Sequence, residues 1–199
     1  MHWLIKCRAK PAIDELRAAT LPAHTRFLDG YSEVTWYSGP LFTDDNQNAI
    51  GSLRLIEFAD RVAATAYIDA DPYTKAGIFQ SIAIERWQPR CDVRQRDYKR
   101  KPDTMQFVIH AHEKTDGPDA SSRREPSRGA HETYLSRHRE ILIAHGPLLD
   151  DAGARPIGSL IMLDVANKAE AEAFWANEPF NHAGAYRSVT MERWRFGHV

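Results

Sequence analysis

Cysteine is scarce in this sequence: Cys7 and Cys91 are the only two among 199 residues. One lies in a predicted strand and the other in a polar linker, so free thiols in a reduced, cytoplasmic protein are expected rather than a disulfide framework. The chain also has no run of about 18 apolar residues, so we expect no membrane span. Residues 1–7 alternate and then give way to polar residues, without the basic start and longer apolar core of a signal peptide.

The sequence also has no large excess of either charge, because 26 basic side chains are balanced by 27 acidic ones. A chain near neutrality has no global field for nucleic acid or an anionic membrane, so neither is expected as a partner. The sequence has no glycine-rich phosphate loop. It also lacks the Gly-x-Ser-x-Gly context of a serine hydrolase. The fraction of hydrophobic residues, 43%, is that of an ordinary soluble globular protein.

What the sequence does contain is an internal duplication. When residues 24–87 are placed on residues 131–194 without a gap, 21 of the 64 pairs are identical. Chance at ordinary composition would give roughly four identical pairs. Upstream, the two copies also match with a small gap, since Trp3-Leu4-Ile5 parallels Phe107-Val108-Ile109. We therefore expect a first repeat over residues 1–90, a linker over 91–104 and a second repeat over 105–199.

Within each repeat the hydrophobic pattern predicts the order βαββαβ. In the first repeat, the first helix is expected from Pro11 to Gly30, with a kink or break at Pro22. The next strand is expected from Val34 to Ser38, closed by Gly39-Pro40. Residues 115–128 are almost free of apolar side chains and predict a mobile loop inserted in the second repeat.

This element order predicts an α+β fold built from two ferredoxin-like units, each an antiparallel sheet with helices on one face. Such a sheet leaves its other face bare, and burial of one large apolar side chain there is worth roughly 1.5–3 kcal/mol. We therefore expect the two sheets to pair as an intramolecular pseudo-dimeric α/β barrel. The quaternary state would be a monomeric pseudo-dimer or a homodimer.

Three features together resemble the YciI-like family: the run Ala70-Asp71-Pro72-Tyr73 followed by Ala76-Gly77, the Gly39-Pro40-Leu41 turn, and His24 on the first helix. The resemblance implies a ferredoxin-like fold paired into a dimeric α/β barrel. It also implies a site formed by a His and an Asp at the edge of a pocket, which corresponds to His24 and Asp71. The second-copy equivalents are His131 and Glu178, and the change from Asp to Glu makes equal activity there less expected.

A histidine beside a carboxylate suits proton transfer, because the carboxylate fixes the ring tautomer and raises its basicity. One branch of the family resembles dehydrochlorinases of chlorinated hydroxyhydroquinones. The leading hypothesis is thus a lyase-type elimination of HCl from a small substrate, such as an aromatic compound, without a cofactor. Arg26 and Tyr73 are the candidate anion- and substrate-binding residues. The alternative hypothesis for Asp71 is a purely structural Asx turn. The alternative hypotheses for the chain are a non-catalytic binding or accessory protein and a cofactor-free monooxygenase-like barrel.

His110 and His112 alternate on a predicted strand, so both side chains point to one face. Such a pair can bind a metal if Glu113 or His138 supplies a third ligand. No cysteine cluster or His-Glu-x-x-His motif supports this, and the first repeat has Lys6 and Arg8 at the matching places. Polar residues lining the mouth of the barrel are the favoured interpretation, and no metal is expected.

Overall fold

The computed structural model describes residues 1–114 and 124–199 of the chain. Backbone contacts divide it into a first unit of residues 1–88, 94–98 and 193–199 and a second unit of residues 89–93 and 99–192. The strands are β1 (His2–Ala9), β2 (Thr35–Phe42), β3 (Ala49–Glu57), β4 (Phe79–Trp87), β5 (Met105–Glu113), β6 (Leu142–Leu149), β7 (Pro156–Val165) and β8 (Tyr186–Trp194). The helices are α1 (Asp14–Asp29), α2 (Arg61–Ala70), α3 (Pro72–Lys75), α4 (Arg128–Arg137), α5 (Lys168–Ala176) and α6 (Pro179–His182).

The first unit has a four-stranded antiparallel sheet in the order β4-β1-β3-β2. Ser52, Arg54 and Ile56 alternate along β3 and so share one face of that sheet. Ile56 packs there against the inner face of α2, together with Tyr67 and Ile68. This face is covered by helices and also carries the polar groups described below.

The second unit repeats the arrangement in the order β8-β5-β7-β6. Ile161 and Leu163 on β7 pack with Leu135 of α4 and Phe174 of α5. The predicted α+β fold is confirmed, with a four-stranded antiparallel sheet and its helices in each unit.

Some local predictions differ from the structure. β2 does not end before Gly39-Pro40 but continues to Phe42, with Pro40 in register opposite Ser52. Pro22 lies inside α1 without dividing it. Of the predicted loop 115–128, residues 115–123 lie outside the described residues, while Glu125–Ser127 forms a 3-10 helix that leads into α4.

The helix that precedes Asp71-Pro72 begins at a side-chain cap. Asp60 is the N-cap of α2, and its carboxylate accepts a hydrogen bond from the Ala63 backbone N–H at 2.8 Å. Among the residues that the structure describes, no helix is both long and apolar enough to span a membrane.

Two glycines of the repeat let neighbouring strands approach closely. A Cβ atom on Gly51 would lie 2.0 Å from the Cys7 carbonyl oxygen, and one on Gly158 would lie 2.2 Å from that of Ala111. Both partners are backbone atoms in adjacent strands, which cannot yield without breaking the sheet register. The duplicated Ile-Gly-Ser-Leu segment therefore has a packing reason for its glycine.

We predict that Gly51→Ala or Gly158→Ala lowers the free energy of unfolding by more than about 2 kcal/mol, because the added methyl overlaps a strand backbone. Gly129→Ala is the matched control, since nothing lies within 4 Å of a Cβ at that helical position. The control should be neutral or stabilising by up to about 1 kcal/mol. Urea unfolding of the three variants checks this, and equal stability of all three would contradict the packing explanation.

Candidate functional site

The site in the first unit is built around the junction of α2 and α3. Asp71 ends α2 and caps α3, with an extended ψ of 127° that the following Pro72 favours. Its Oδ1 accepts a hydrogen bond from the Tyr73 backbone N–H at 2.9 Å. This is the Asx-type turn expected from the sequence, and it fixes the direction of the carboxylate.

The same carboxylate meets His24 of α1. The His24 Nδ1 atom lies 2.7 Å from Asp71 Oδ1, and both side chains are buried. A carboxylate can only accept a hydrogen bond, so Nδ1 carries a proton and donates it to Asp71. The lone pair of the ring is then on Nε2, which faces the Arg54 guanidinium at 3.5 Å. The Asp71 carboxylate thus both forms the Asx-type turn and accepts the hydrogen bond from His24.

Arg54 of β3 completes this cluster and was not singled out from the sequence. Its guanidinium nitrogen NH1 lies 2.9 Å from Asp71 Oδ2, and NH2 lies 3.5 Å from His24 Nε2. The side chain is only 1% exposed. The sequence feature that could have indicated Arg54 is its place as the only charged residue in the apolar run Leu53–Ile56, where the second copy has Ile161.

Opposing effects act on the Asp71 carboxyl. Burial alone would raise its pKa, but the hydrogen bond from His24 and the charge of Arg54 together hold the pKa below its usual range. The carboxylate therefore stays ionised between two donors. An ionised Asp71 orients His24 and compensates the buried charge of Arg54.

Tyr73 lies against the histidine ring. The two rings are stacked 3.8 Å apart with an interplanar angle of 6°. The Tyr73 hydroxyl donates to the Arg17 backbone carbonyl at 3.4 Å, and burial raises the pKa of this phenol. One face of the imidazole is thus covered, which restricts approach to its remaining edge.

A cavity of about 530 Å³ lies beside this cluster. Its polar lining includes His24, Arg54, Arg17 and Ser52. The rest of the wall has further polar residues (Asp14, Thr25, Ser38, Gln47 and His198) and apolar or small ones, among them Ala9, Leu21, Leu28, Gly51, Tyr73, Ile78 and Phe79. A cavity of this size with a few convergent polar groups suits a small organic molecule.

The structure places Arg26 away from this cavity. Its side chain is exposed, and it does not belong to the cavity lining. Residues two apart on a helix point to nearly opposite sides, whereas residues seven apart share a face. Arg17, seven residues before His24, consequently lines the cavity in place of Arg26.

The second copy keeps the pair in altered form. His131 Nδ1 lies 2.6 Å from Glu178 Oε1, so the longer side chain still reaches the histidine. The Phe180 ring stacks on His131 at 3.9 Å, as Tyr73 does on His24. Glu178 accepts from the backbone N–H groups of Phe180 and Asn181. With Ile161 at the position of Arg54, this carboxylate has no counterpart of the first copy's ion pair.

The histidines considered for metal binding lie together on β5. The His110 and His112 rings are 4.5 Å apart. Both residues proposed as a third ligand have other contacts, because Glu113 forms an ion pair with Arg124 and His138 Nδ1 donates to the Tyr134 carbonyl. Both residues thus already have a protein partner within their own unit.

We predict that acid removes the contribution of Asp71 to stability. Because its folded pKa lies below the unfolded value of about 4, the contribution is complete above about pH 4 and is lost as pH falls through the lowered folded pKa. The stability difference between the native protein and Asp71→Asn should therefore be largest near pH 6 and shrink toward pH 2. Urea unfolding across this range measures it, and a difference that stays constant would contradict the prediction.

Three comparisons place these observations among known proteins. A family model for the YCII-related domain matches twice, over residues 1–88 and 105–195. No curated protein matches the chain. Among solved structures, 5-chloro-2-hydroxyhydroquinone dehydrochlorinase (TftG) from Burkholderia phenoliruptrix is 26% identical, with a TM-score of 0.42, covering 44% of this chain and 94% of that chain.

Two further solved structures resemble almost the whole chain. A mutant chlorite dismutase from Candidatus Nitrospira defluvii has a TM-score of 0.61 at 7% identity, covering 98% of this chain and 91% of that chain. An anthrone oxidase-like protein has a TM-score of 0.53 at 13% identity, covering 99% and 90%. At these identities the likeness concerns the fold alone. The two matches of the family model, which span most of the sequence, show that the chain belongs to the YCII-related domain family and carries two copies of that domain.

Proposed function

We propose that the first copy is a small-molecule enzyme in which His24 is a general base oriented by Asp71. The observation that carries this proposal is the 2.7 Å bond from His24 Nδ1 to Asp71, made by a histidine that lines a cavity of about 530 Å³. With the proton on Nδ1, the lone pair is on Nε2, where a substrate proton would replace the long 3.5 Å contact from Arg54 NH2. Proton transfer by a histidine positioned in this way contributes typically 10²–10⁴-fold to a rate.

The carboxylate supports the base in two ways. It holds the ring in the Nδ1–H tautomer, so that the lone pair is on Nε2. It also stabilises the imidazolium that forms when Nε2 takes a proton. Tyr73, stacked on the ring, prevents it from rotating away.

Arg54 is the proposed anion-binding group, in the role first expected of Arg26. One end of its guanidinium pairs with Asp71, and the other end is 3.5 Å from His24 Nε2. An oxygen that becomes negative as a neighbouring proton leaves would lie beside this fixed positive charge. Preorganised donors of this kind stabilise the developing charge without reorganisation.

The reaction class that fits best is elimination of HCl. A proton passes from the substrate to His24 Nε2, and its bonding electron pair moves into a new π bond of the substrate. Chloride leaves with the electron pair of the C–Cl bond. The proton on His24 then returns to solvent. The family resemblance favours chlorinated hydroxyaromatic substrates, and the aromatic rings of Tyr73 and Phe79 offer a flat wall for them.

Non-catalytic binding is the second candidate, and one observation favours it. Most of the cavity wall is apolar or small, which is sufficient to hold a ligand without chemistry. Binding alone predicts thermal stabilisation by a ligand with no product formed. Cofactor-free oxygenation of an electron-rich aromatic stays a prediction from the sequence, as do the cytoplasmic location and the oligomeric state.

The test is chloride release from a panel of chlorinated hydroquinones, hydroxyhydroquinones and hydroxybenzoates. We predict that His24→Gln and Asp71→Asn each lower kcat by at least about 100-fold, since each removes the base or its orientation. His131→Gln is the matched control in the second copy and should retain most of the activity. Circular dichroism and thermal unfolding establish that the inactive variants are folded.

Two results would refute the proposal. One is full chloride release by a folded His24→Gln protein. The other is loss of activity in His131→Gln with retention in His24→Gln, which would locate the reaction in the second copy. Ligand stabilisation without release of chloride from any compound of the panel would favour the binding role instead.

A further inference from the structure

The two copies hold the same arginine in two different positions. Arg17 and Arg124 occupy equivalent places, 107 residues apart, which is also the offset of the duplication. Arg17 lies at the cavity wall, where it donates to the Ala49 carbonyl at 2.9 Å and pairs with Asp14 at 2.8 Å. Asp14 is largely exposed, its side chain being 79% accessible. An exposed ion pair of this kind adds little stability, so Arg17 can leave it readily.

Arg124 is buried, with only 5% of its surface exposed. Its Nε lies 2.7 Å from Glu113 Oε1, and its NH2 donates to the Ser159 hydroxyl at 2.7 Å and the Gly158 carbonyl at 3.1 Å. Its guanidinium carbon lies 4.7 Å above the centre of the Phe180 ring. This arginine is thus held between a carboxylate, a hydroxyl and an aromatic face.

The groups around Arg124 correspond to the wall of the first cavity. The duplication offset equates Gly158, Ser159, Phe180 and Tyr186 with Gly51, Ser52, Tyr73 and Phe79. Strand register equates Glu113 with Ala9, because Ala111 pairs with Ser159 as Cys7 pairs with Ser52. All five first-copy counterparts line the cavity of about 530 Å³. Arg124 therefore contacts the surfaces that a ligand would contact in the first copy.

The decisive chemical difference is the pair Ala9 and Glu113. In the second copy a carboxylate stands at this position, and the arginine turns inward to meet it. In the first copy the side chain is a methyl group, and Arg17 pairs with Asp14 instead. The first cavity therefore has no side-chain carboxylate at the Ala9 position. A ligand can supply that carboxylate.

We propose that the first cavity binds an aromatic carboxylate, whose carboxylate lies beside Ala9 and is paired by Arg17 turned inward. The Glu113 carboxylate is the built-in equivalent of this ligand in the second copy. The proposal rests on the proposed function in that it names the substrate class of the same site. Arg17 is then a specificity-determining residue, because it selects for the charge of the ligand rather than taking part in proton transfer.

The chemistry of the wall supports an aromatic acid. Arginine and carboxylate form two parallel hydrogen bonds in one plane, and the Ser52 hydroxyl can donate a further one. Tyr73 and Phe79 supply aromatic surface next to this group, and Leu21, Leu28 and Ile78 supply apolar surface. A planar ring that carries one carboxylate satisfies both parts of the wall.

The first test compares benzoate with the neutral, nearly isosteric benzamide by calorimetric titration of the full chain. We expect benzoate to bind more tightly. Arg17→Met should weaken benzoate about tenfold or more, as loss of a charged hydrogen-bonding partner does. The affinity for benzamide should change less than about twofold in the same variant. Equal affinity for the two probes, or an unchanged affinity for benzoate in Arg17→Met, would overturn the proposal.

The second test exchanges the residues that distinguish the copies. Ala9→Glu should abolish binding of benzoate in the first cavity, because the new carboxylate takes its place and its arginine. Glu113→Ala should create a carboxylate site beside Arg124, so that millimolar acetate raises Tm more than the same concentration of chloride. Benzoate binding that survives Ala9→Glu, or equal effects of acetate and chloride on Glu113→Ala, would count against the inference.

The same titrations separate this inference from the proposed function. His24→Gln should lose chloride release and still bind benzoate through Arg17. If chloride release depends on His24 but benzoate does not bind, the carboxylate assignment alone is wrong. If benzoate binds through Arg17 and no compound reacts, the catalytic proposal alone is wrong.

Discussion

The first copy depends on one buried ion network, in which the Asp71 carboxylate lies between the Arg54 guanidinium and the His24 ring. Arg54 and Asp71 are almost completely excluded from solvent. A buried charge without a partner costs several kcal/mol, so each of these groups requires the other in place. The network also joins three separate elements, since α1, β3 and the α2–α3 junction each contribute one member. The constraint that stabilises the local fold is therefore the one that positions the proposed base.

The duplication separates what the histidine–carboxylate pair requires from what the first copy adds. The second copy keeps the bond and the stacked ring although Ile161 replaces Arg54. Hydrogen bonding and stacking alone thus suffice to hold a histidine at this place. Arg54 adds a fixed positive charge near Nε2, and the second copy instead directs Arg124 toward Glu113. The first copy thus has a cavity with Arg17 and Arg54 in its wall, whereas the second copy pairs its equivalent arginine internally with Glu113.

The repeat predicted the fold, because identical spacing in two copies constrains a βαββαβ unit strongly. It also indicated His24 and Asp71 as candidate site residues, because both copies have a histidine and a carboxylate at these places. The role of Arg54 and the full length of β2 could be recognised only from the three-dimensional structure. A single arginine in an apolar strand gives no sign of its partner, and the partner of Arg54 comes from a distant helix end. The part of β2 beyond Ser38 is hydrogen-bonded by the C-terminal segment, since the Arg195 backbone N–H donates to the Pro40 carbonyl at 3.1 Å. Arg17 could have been preferred to Arg26 from helical geometry alone, because residues seven apart share a face.

The most direct measurement of the central claim is a ¹⁵N NMR spectrum of the histidine side chains, recorded with and without a saturating aromatic probe. His24 should show a proton on Nδ1, and its Nε2 resonance should move when the probe enters the cavity. The ring resonances of His131 should stay unchanged, because Arg124 already occupies the equivalent surface. A response confined to His131, or a His24 ring protonated on Nε2 alone, would contradict a base oriented by Asp71 in the first copy.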